Sequence, residues 1–203
     1  MISSELTHTL RRVARFYDQR KVGDVGALGF RRSSDLGRLL TCIERMLEAR
    51  YLVPDESLFL DMGCADGRVN VLLSYLLKSS IGVELDEWTL DDYTPLLRQL
   101  EIRLEAEHLP LPPENIRLFH GDVMDSAVQQ TIKQETGIGI GDFDLFYTYL
   151  TMQEEFAGLI ARRAKRGAIF MVYGLEKILP RWDGMTLMTE QPLEGILALY
   201  QKD

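Results

Sequence analysis

The 203-residue sequence predicts an α/β protein built on a parallel sheet covered by helices on both faces, and three observations carry that expectation. From residue 57 onward, short apolar runs alternate with longer stretches of helical period. The first run, Leu58-Phe-Leu-Asp61, leads into a turn of small residues at Gly63, Ala65 and Gly67. Later runs also end in acids, at Glu84 and Asp122.

Taken in order, Leu6 to Tyr17 places Leu6, Leu10, Val13, Ala14 and Tyr17 at helical spacing, an amphipathic helix fit to lie over the rest of the chain or over a partner subunit. Gly23 to Ser34 reads as a glycine-rich connector, and Ser34 or Asp35 as the cap of a helix running through Leu39, Ile43, Met46 and Leu47 toward Tyr51. Pro54 and Asp55 close this N-terminal helical extension, residues 1–54, of a single domain whose core is 55–203.

Strands are then expected at Leu58–Asp61, Ile81–Asp86, Asn115–Val123, Phe143–Leu150 and Gly167–Gly174. Helices fall at Arg68–Leu77, Trp88–Glu107, Asp125–Glu135 and Gln153–Lys165. Met185–Glu190 and Ile196–Gln201, separated by a turn around Pro192 and Gly195, read as an antiparallel hairpin. Leu109 to Pro113 is a rigid loop.

The turn at 61–67 brings bare backbone against a ligand, and its spacing separates two cofactor classes. A dinucleotide fingerprint spaces its glycines G-x-G-x-x-G and aims a helix N-terminus at a pyrophosphate. Here the last gap is one residue shorter, and Asp61 and Asp66 flank the turn. Carboxylates repel a pyrophosphate but suit the cationic and hydroxyl groups of S-adenosylmethionine. Glu84, seventeen residues after Gly67, stands where an acid can accept hydrogen bonds from ribose hydroxyls, with Leu85 following it. Asp122 can meet an adenine amine while Val123 covers the ring.

These motifs, in this order, resemble the class I S-adenosylmethionine-dependent methyltransferases over residues 57–203. Gly-Cys-Ala-Asp-Gly-Arg68-Val69, Gly-Val-Glu-Leu-Asp86 and Phe-Tyr-Thr-Tyr-Leu-Thr151, followed by Leu-Pro180-Arg-Trp182, look most like the Dot1-like group that includes archaeal protein lysine methyltransferases. The resemblance implies a Rossmann-like, seven-stranded, mostly parallel sheet with the last strand antiparallel, and methyl transfer to an acceptor such as a protein lysine. It implies a cofactor site at Asp61, Gly63, Cys64, Ala65, Asp66, Gly67, Glu84, Leu85, Asp122, Val123 and Thr148. Ala65 departs from the glycine usual there, so the turn is expected to keep negative φ at that residue.

Methyl transfer from an activated sulfonium asks mainly for positioning and a dry site. Tyr147 and Tyr149, at the end of the fourth strand, are the candidate acceptor-lining residues, with Thr148 on the opposite face. Phe30 and Arg31 of the connector are candidates to close over the methionine end of the cofactor. Glu154 and Glu155 suit a helix N-terminus, His8 and His108 have no companion ligands, and His120, just before Asp122, suits a surface or capping role, so no metal is assigned.

The net charge of −8 disfavours nucleic acid and favours a basic protein acceptor, although Arg11, Arg12 and Arg15 share a helix face and Arg162, Arg163, Lys165 and Arg166 close another helix. Cys42 and Cys64 form no C-x-x-C pair, and no run approaches a membrane span, so a cytoplasmic protein is expected. The N-terminal helices are a candidate homodimer surface. The remaining alternatives are a small-molecule methyltransferase, an inactive cofactor-binding protein and an NAD-dependent oxidoreductase.

Overall fold

The structure, a computed structural model, describes residues 2–20, 22–26, 29–31 and 33–203, and for 23–26 and 29–31 it describes the backbone alone. The N-terminal section contains α1 (Ser4–Asp18), β1 (Val22–Gly26), β2 (Gly29–Arg31) and α2 (Leu36–Glu48). Alternation begins with β3 (Leu58–Met62), α3 (Arg68–Ser74), β4 (Ser79–Glu84), α4 (Glu87–Asp91), α5 (Tyr93–Ala106) and β5 (Ile116–His120). It continues through α6 (Ser126–Thr136), β6 (Leu145–Tyr149), α7 (Gln153–Arg163) and β7 (Ile169–Tyr173), and ends in β8 (Met185–Leu187) and β9 (Leu197–Lys202).

Seven strands form one sheet in the order β5-β4-β3-β6-β7-β9-β8. β9 runs antiparallel to both of its neighbours, and the other pairs are parallel, as the Rossmann-like expectation required. Order reverses between β4 and β6 around β3, which opens a crevice at the carboxyl edge of the sheet.

Each face of the sheet carries an apolar layer. On one, α1, α2, α3 and α5 pack Leu10, Val13, Tyr17, Leu39, Ile43 and Leu100 against Phe59, Leu145 and Met171. On the other, Ile132, Phe156 and Ile160 of α6 and α7 cover Leu60, Phe146 and Phe170. Burying each such side chain is worth about 1.5–3 kcal/mol. The apolar stripe of α1 is therefore spent on the chain's own core rather than offered to a second copy. Trp182 packs on Tyr200 of β9, ring centroids 4.4 Å apart.

Local chemistry sets the element ends. Ser3 caps α1 by accepting the Leu6 N–H, Asp35 caps α2 at Arg38 N, and Asp125 caps α6 at Ala127 N. Ser34 does not cap α2. The helix expected over Trp88–Glu107 is split at Asp92, because Pro95 has no N–H to give the Asp91 carbonyl and its ring crowds that group. In the section read as a connector, β1 and β2 pair antiparallel, a glycine-containing ribbon that alternation of side chains did not signal. Among the described residues no helix is long and apolar enough to cross a membrane.

Candidate functional site

A cleft of about 660 Å³ opens at the carboxyl ends of β3, β4, β5 and β6. Its volume lies within the range of small-molecule sites. Gly63 and Ala65 form one wall, Glu84 and Leu85 the next, Asp122 and Val123 the adenine-side end, and Thr148 and Tyr149 the far side. All eight come from loops or strand ends, in four groups that lie far apart in sequence.

Glu84 is the most constrained of them. It is 7% exposed, its Oε2 accepts the Ala65 N–H at 2.9 Å and its Oε1 accepts the Asp86 N–H at 2.9 Å. Each carboxylate oxygen offers two acceptor sites, so a ribose hydroxyl can still be received there. These bonds tie the end of β4 to the turn after β3.

That turn contradicts one expectation. Ala65 sits at φ +51°, in the left-handed region, rather than at negative φ. Such a conformation costs a non-glycine residue about 1–2 kcal/mol, and the bond from its N–H to Glu84 holds it there. Gly63 adopts φ +94°, and a Cβ built on it would meet no protein atom within 4 Å. Glycine there serves the backbone and leaves the adjoining space to a ligand.

Four of the cofactor-site candidates do not reach the cleft. Asp66 turns inward to a buried ion pair with Arg68, Nε–Oδ1 2.9 Å and Nη2–Oδ2 2.8 Å, both residues at most 3% exposed. A buried carboxylate beside an arginine two residues away finds its partner there, so it does not face solvent or ligand. The same guanidinium lies over the Tyr17 ring and within 3.5 Å of the Tyr17 and Arg20 carbonyl oxygens, so it joins the turn to the end of α1. Cys64 is buried beneath the turn, its thiol pushed far up by burial first and then by Asp61. Gly67, at φ +72°, begins α3. Asp61 is 1% exposed under the turn, and its Oδ1 has no hydrogen-bond partner among the described residues. Burial, and then the charges of Glu84 and Asp66, push its carboxyl well above the usual range.

The two tyrosines divide. Tyr149 lines the cleft, its ring 5.3 Å from that of Tyr173. Tyr147, expected beside it, is 2% exposed in the core, and its hydroxyl shares a 2.5 Å hydrogen bond with Ser34 Oγ. Burial pushes its phenol far up, so it stays protonated. It fixes α2 against β6 rather than lining an acceptor site. Thr148 Oγ1 donates toward the Met62 and Thr151 carbonyls, each at 3.2 Å.

Val22, Met62, Val83, Leu150, Met152 and Phe156 also line the cleft, with Asp86, Gly121 and Thr151, and sequence reasoning did not single out these six apolar residues as a site. Leu150 and Met152 both have left-handed φ, +49° and +46°, which no residue type there signals. Val22 brings the β1–β2 ribbon to the cleft. The side chains of Phe30 and Arg31 lie outside the described residues. Asp122 accepts the Met124 N–H, and Val123 is 4% exposed beside it. Among the described residues no three His, Cys, Asp or Glu side chains converge as a metal site.

No protein-family model and no curated protein sequence matches the chain. Solved structures do match it. The ribosomal RNA methyltransferase aviRa from Streptomyces viridochromogenes superposes with a TM-score of 0.57 at 17% identity, covering 87% of this chain and 88% of that one. An RNA methyltransferase from Salinibacter ruber, solved with S-adenosyl-L-homocysteine, superposes with a TM-score of 0.50 at 14% identity, covering 79% and 89%. The chain has the class I methyltransferase fold. The Dot1-like subgroup has no counterpart in these two structures, whose names specify RNA.

Proposed function

We propose that the protein is an S-adenosylmethionine-dependent methyltransferase whose acceptor is RNA. One observation carries the cofactor reading: Glu84, locked by two backbone N–H groups, stands between the bare turn at Gly63–Ala65 and the Asp122–Val123 pair in a single cleft. The residues suit the group. Glu84 is matched to the ribose hydroxyls, Asp122 and Val123 to adenine, and the Gly63–Ala65 backbone to the amino-acid end. When bound, S-adenosylmethionine supplies a methyl group on a positively charged sulfur.

The chain's own task is then to hold, orient and exclude water. Apolar Met62, Val123, Leu150 and Phe156 dry the cleft, and Tyr149 stands where it can orient a nucleophile. A dinucleotide reading has less support. The first N–H of α3 turns toward Asp66 and the Gly67 cap lies off the cleft, so the helix N-terminus that a dinucleotide fingerprint would aim at a pyrophosphate does not face the site.

For the acceptor, the RNA named for the two matching structures supports the first reading. A protein lysine is the second reading, favoured by exposed Asp122 in the cleft lining and by exposed Glu87, Asp91 and Asp125 in the segments that follow β4 and β5, which would attract a basic chain. Incubation of cell extract with methyl-labelled S-adenosylmethionine separates them. Label released by ribonuclease supports RNA, label released by protease supports protein, and label in the low-mass fraction supports a metabolite. Absence of any transfer, with S-adenosylhomocysteine bound, leaves a cofactor-binding protein without activity.

A further inference from the structure

The basic residues of α1 remain outside the site described so far, and they are not scattered. α1 and α5 pack with a shallow groove of about 240 Å³ between them, and Arg12, Arg15 and Arg103 line it. Arg20 closes its end, donating to Gln99 of α5, with its guanidinium carbon 3.8 Å from the centroid of the Phe16 ring. Arg103 reaches the same ring at 5.2 Å. Four guanidiniums thus stand at one groove whose lining holds one carboxylate, Glu107, bonded to Arg12, while on its other side Arg15 borders a groove that holds Asp18 and Glu44. Arg15 is exposed and makes no ion pair or hydrogen bond among the described residues.

Such crowding is costly in a chain of net charge −8, where carboxylates to relieve it are plentiful elsewhere. Arg20 shows the strain: burial first, and then the charge of Arg103, lower its pKa. Arginine, rather than lysine, also fits bidentate phosphate contact and stacking on bases.

Position ties the groove to the cleft. From Arg12 to its end at Asp18, α1 rises about 9 Å at 1.5 Å per residue, and Arg20 lies just beyond. Arg20 lies two residues before Val22, which lines the cleft.

Resting on the RNA reading above, we propose that the α1–α5 groove is the docking track for the phosphate backbone of a single-stranded RNA segment, which delivers its nucleotide past the β1–β2 ribbon to the cleft.

The test is fluorescence anisotropy of a labelled single-stranded RNA 20-mer, titrated with the full chain over a salt series. Arg15→Gln with Arg103→Gln removes two exposed contacts. The slope of log K against log salt should fall by about 1.4, and affinity at 0.1 M salt by about 25-fold, from about 0.7 per phosphate contact on a single strand. Arg162→Gln, on α7 across the sheet, should change neither by more than its own long-range charge. Calorimetric S-adenosylhomocysteine binding should stay at the wild-type value in all variants, which shows them folded. An unchanged slope in the double variant overturns the track, as does a wild-type chain that binds no RNA at low salt. Polyglutamate competing as well as RNA at equal charge overturns the assignment to RNA. RNA bound through these arginines but never labelled by S-adenosylmethionine keeps the track and removes RNA as acceptor.

Discussion

Glu84→Gln separates two tasks of one carboxylate. In the fold, each of its oxygens accepts one backbone N–H at 2.9 Å, from Ala65 and from Asp86. Glutamine keeps the shape but exchanges one oxygen for an NH2 group, so one of those two N–H groups must face a donor. A hydrogen bond to a charged group is worth about 1.5–3 kcal/mol, and stability should fall by about 2 kcal/mol. Removing the charge also relieves Asp61, which Glu84 raises, so the loss should sit at the lower end of that range. The same exchange removes an acceptor for a ribose hydroxyl. At about 1.36 kcal/mol per decade, that costs roughly 13- to 160-fold in cofactor affinity. Urea unfolding reads the first quantity and calorimetric titration with S-adenosylhomocysteine the second. A folded Glu84→Gln chain with unchanged affinity would remove Glu84 from the cofactor site, and one with unchanged stability would remove its role in holding the turn.

The other expectations are narrower. Asp61 has a folded-state pKa raised above the ordinary 3.8, so the native state holds its proton longer than the unfolded one and stability declines as pH rises above that value. Asp61→Asn should therefore raise the melting temperature at pH 7, with the gain closing as pH falls below about 4; a gain independent of pH refutes the linkage. Tyr147→Phe and Ser34→Ala should each cost about 1–2 kcal/mol in urea, and a double-mutant cycle should return about 1 kcal/mol of coupling across their 2.5 Å bond. Additive losses would mean that the bond contributes nothing. Tyr149→Phe should lower turnover on the true acceptor more than cofactor affinity, and full turnover would reduce the ring to packing. Ala65→Gly should stabilise by about 0.5–1 kcal/mol, relief of left-handed strain less the extra freedom of glycine in the unfolded chain.

Periodicity and punctuation made most of the architecture readable in advance. Apolar runs of strand length, with Gly and Asp closing them, located β3, β4, β6 and β7, because strands buried on both faces read as nearly continuous apolar runs, and they located the edge strand β5 although its Arg117 and His120 face outward. Acids at strand ends located Glu84 and Asp122 for the same reason. Pro95 stands inside the segment it divides, but an amphipathic pattern continues on both sides of it and masks the break.

What remained hidden was the direction of side chains where several partners compete. Asp66 sits in the motif like a ligand, and only the fold reveals Arg68 closing on it with the end of α1 overhead. Ala65 takes a conformation its residue type disfavours, because Glu84 from another strand supplies the compensating bond. Tyr147 and Tyr149 share a sheet face by alternation, but α2 covers the first with Ser34 and leaves the second at the cleft. The arginines of α1 and α5 lie more than eighty residues apart in the chain, and packing alone makes them one surface. Order along the chain determined the fold, since backbone pairing and burial depend on local pattern; tertiary contact decided which polar groups face a ligand, since each turns toward whichever neighbour best replaces water.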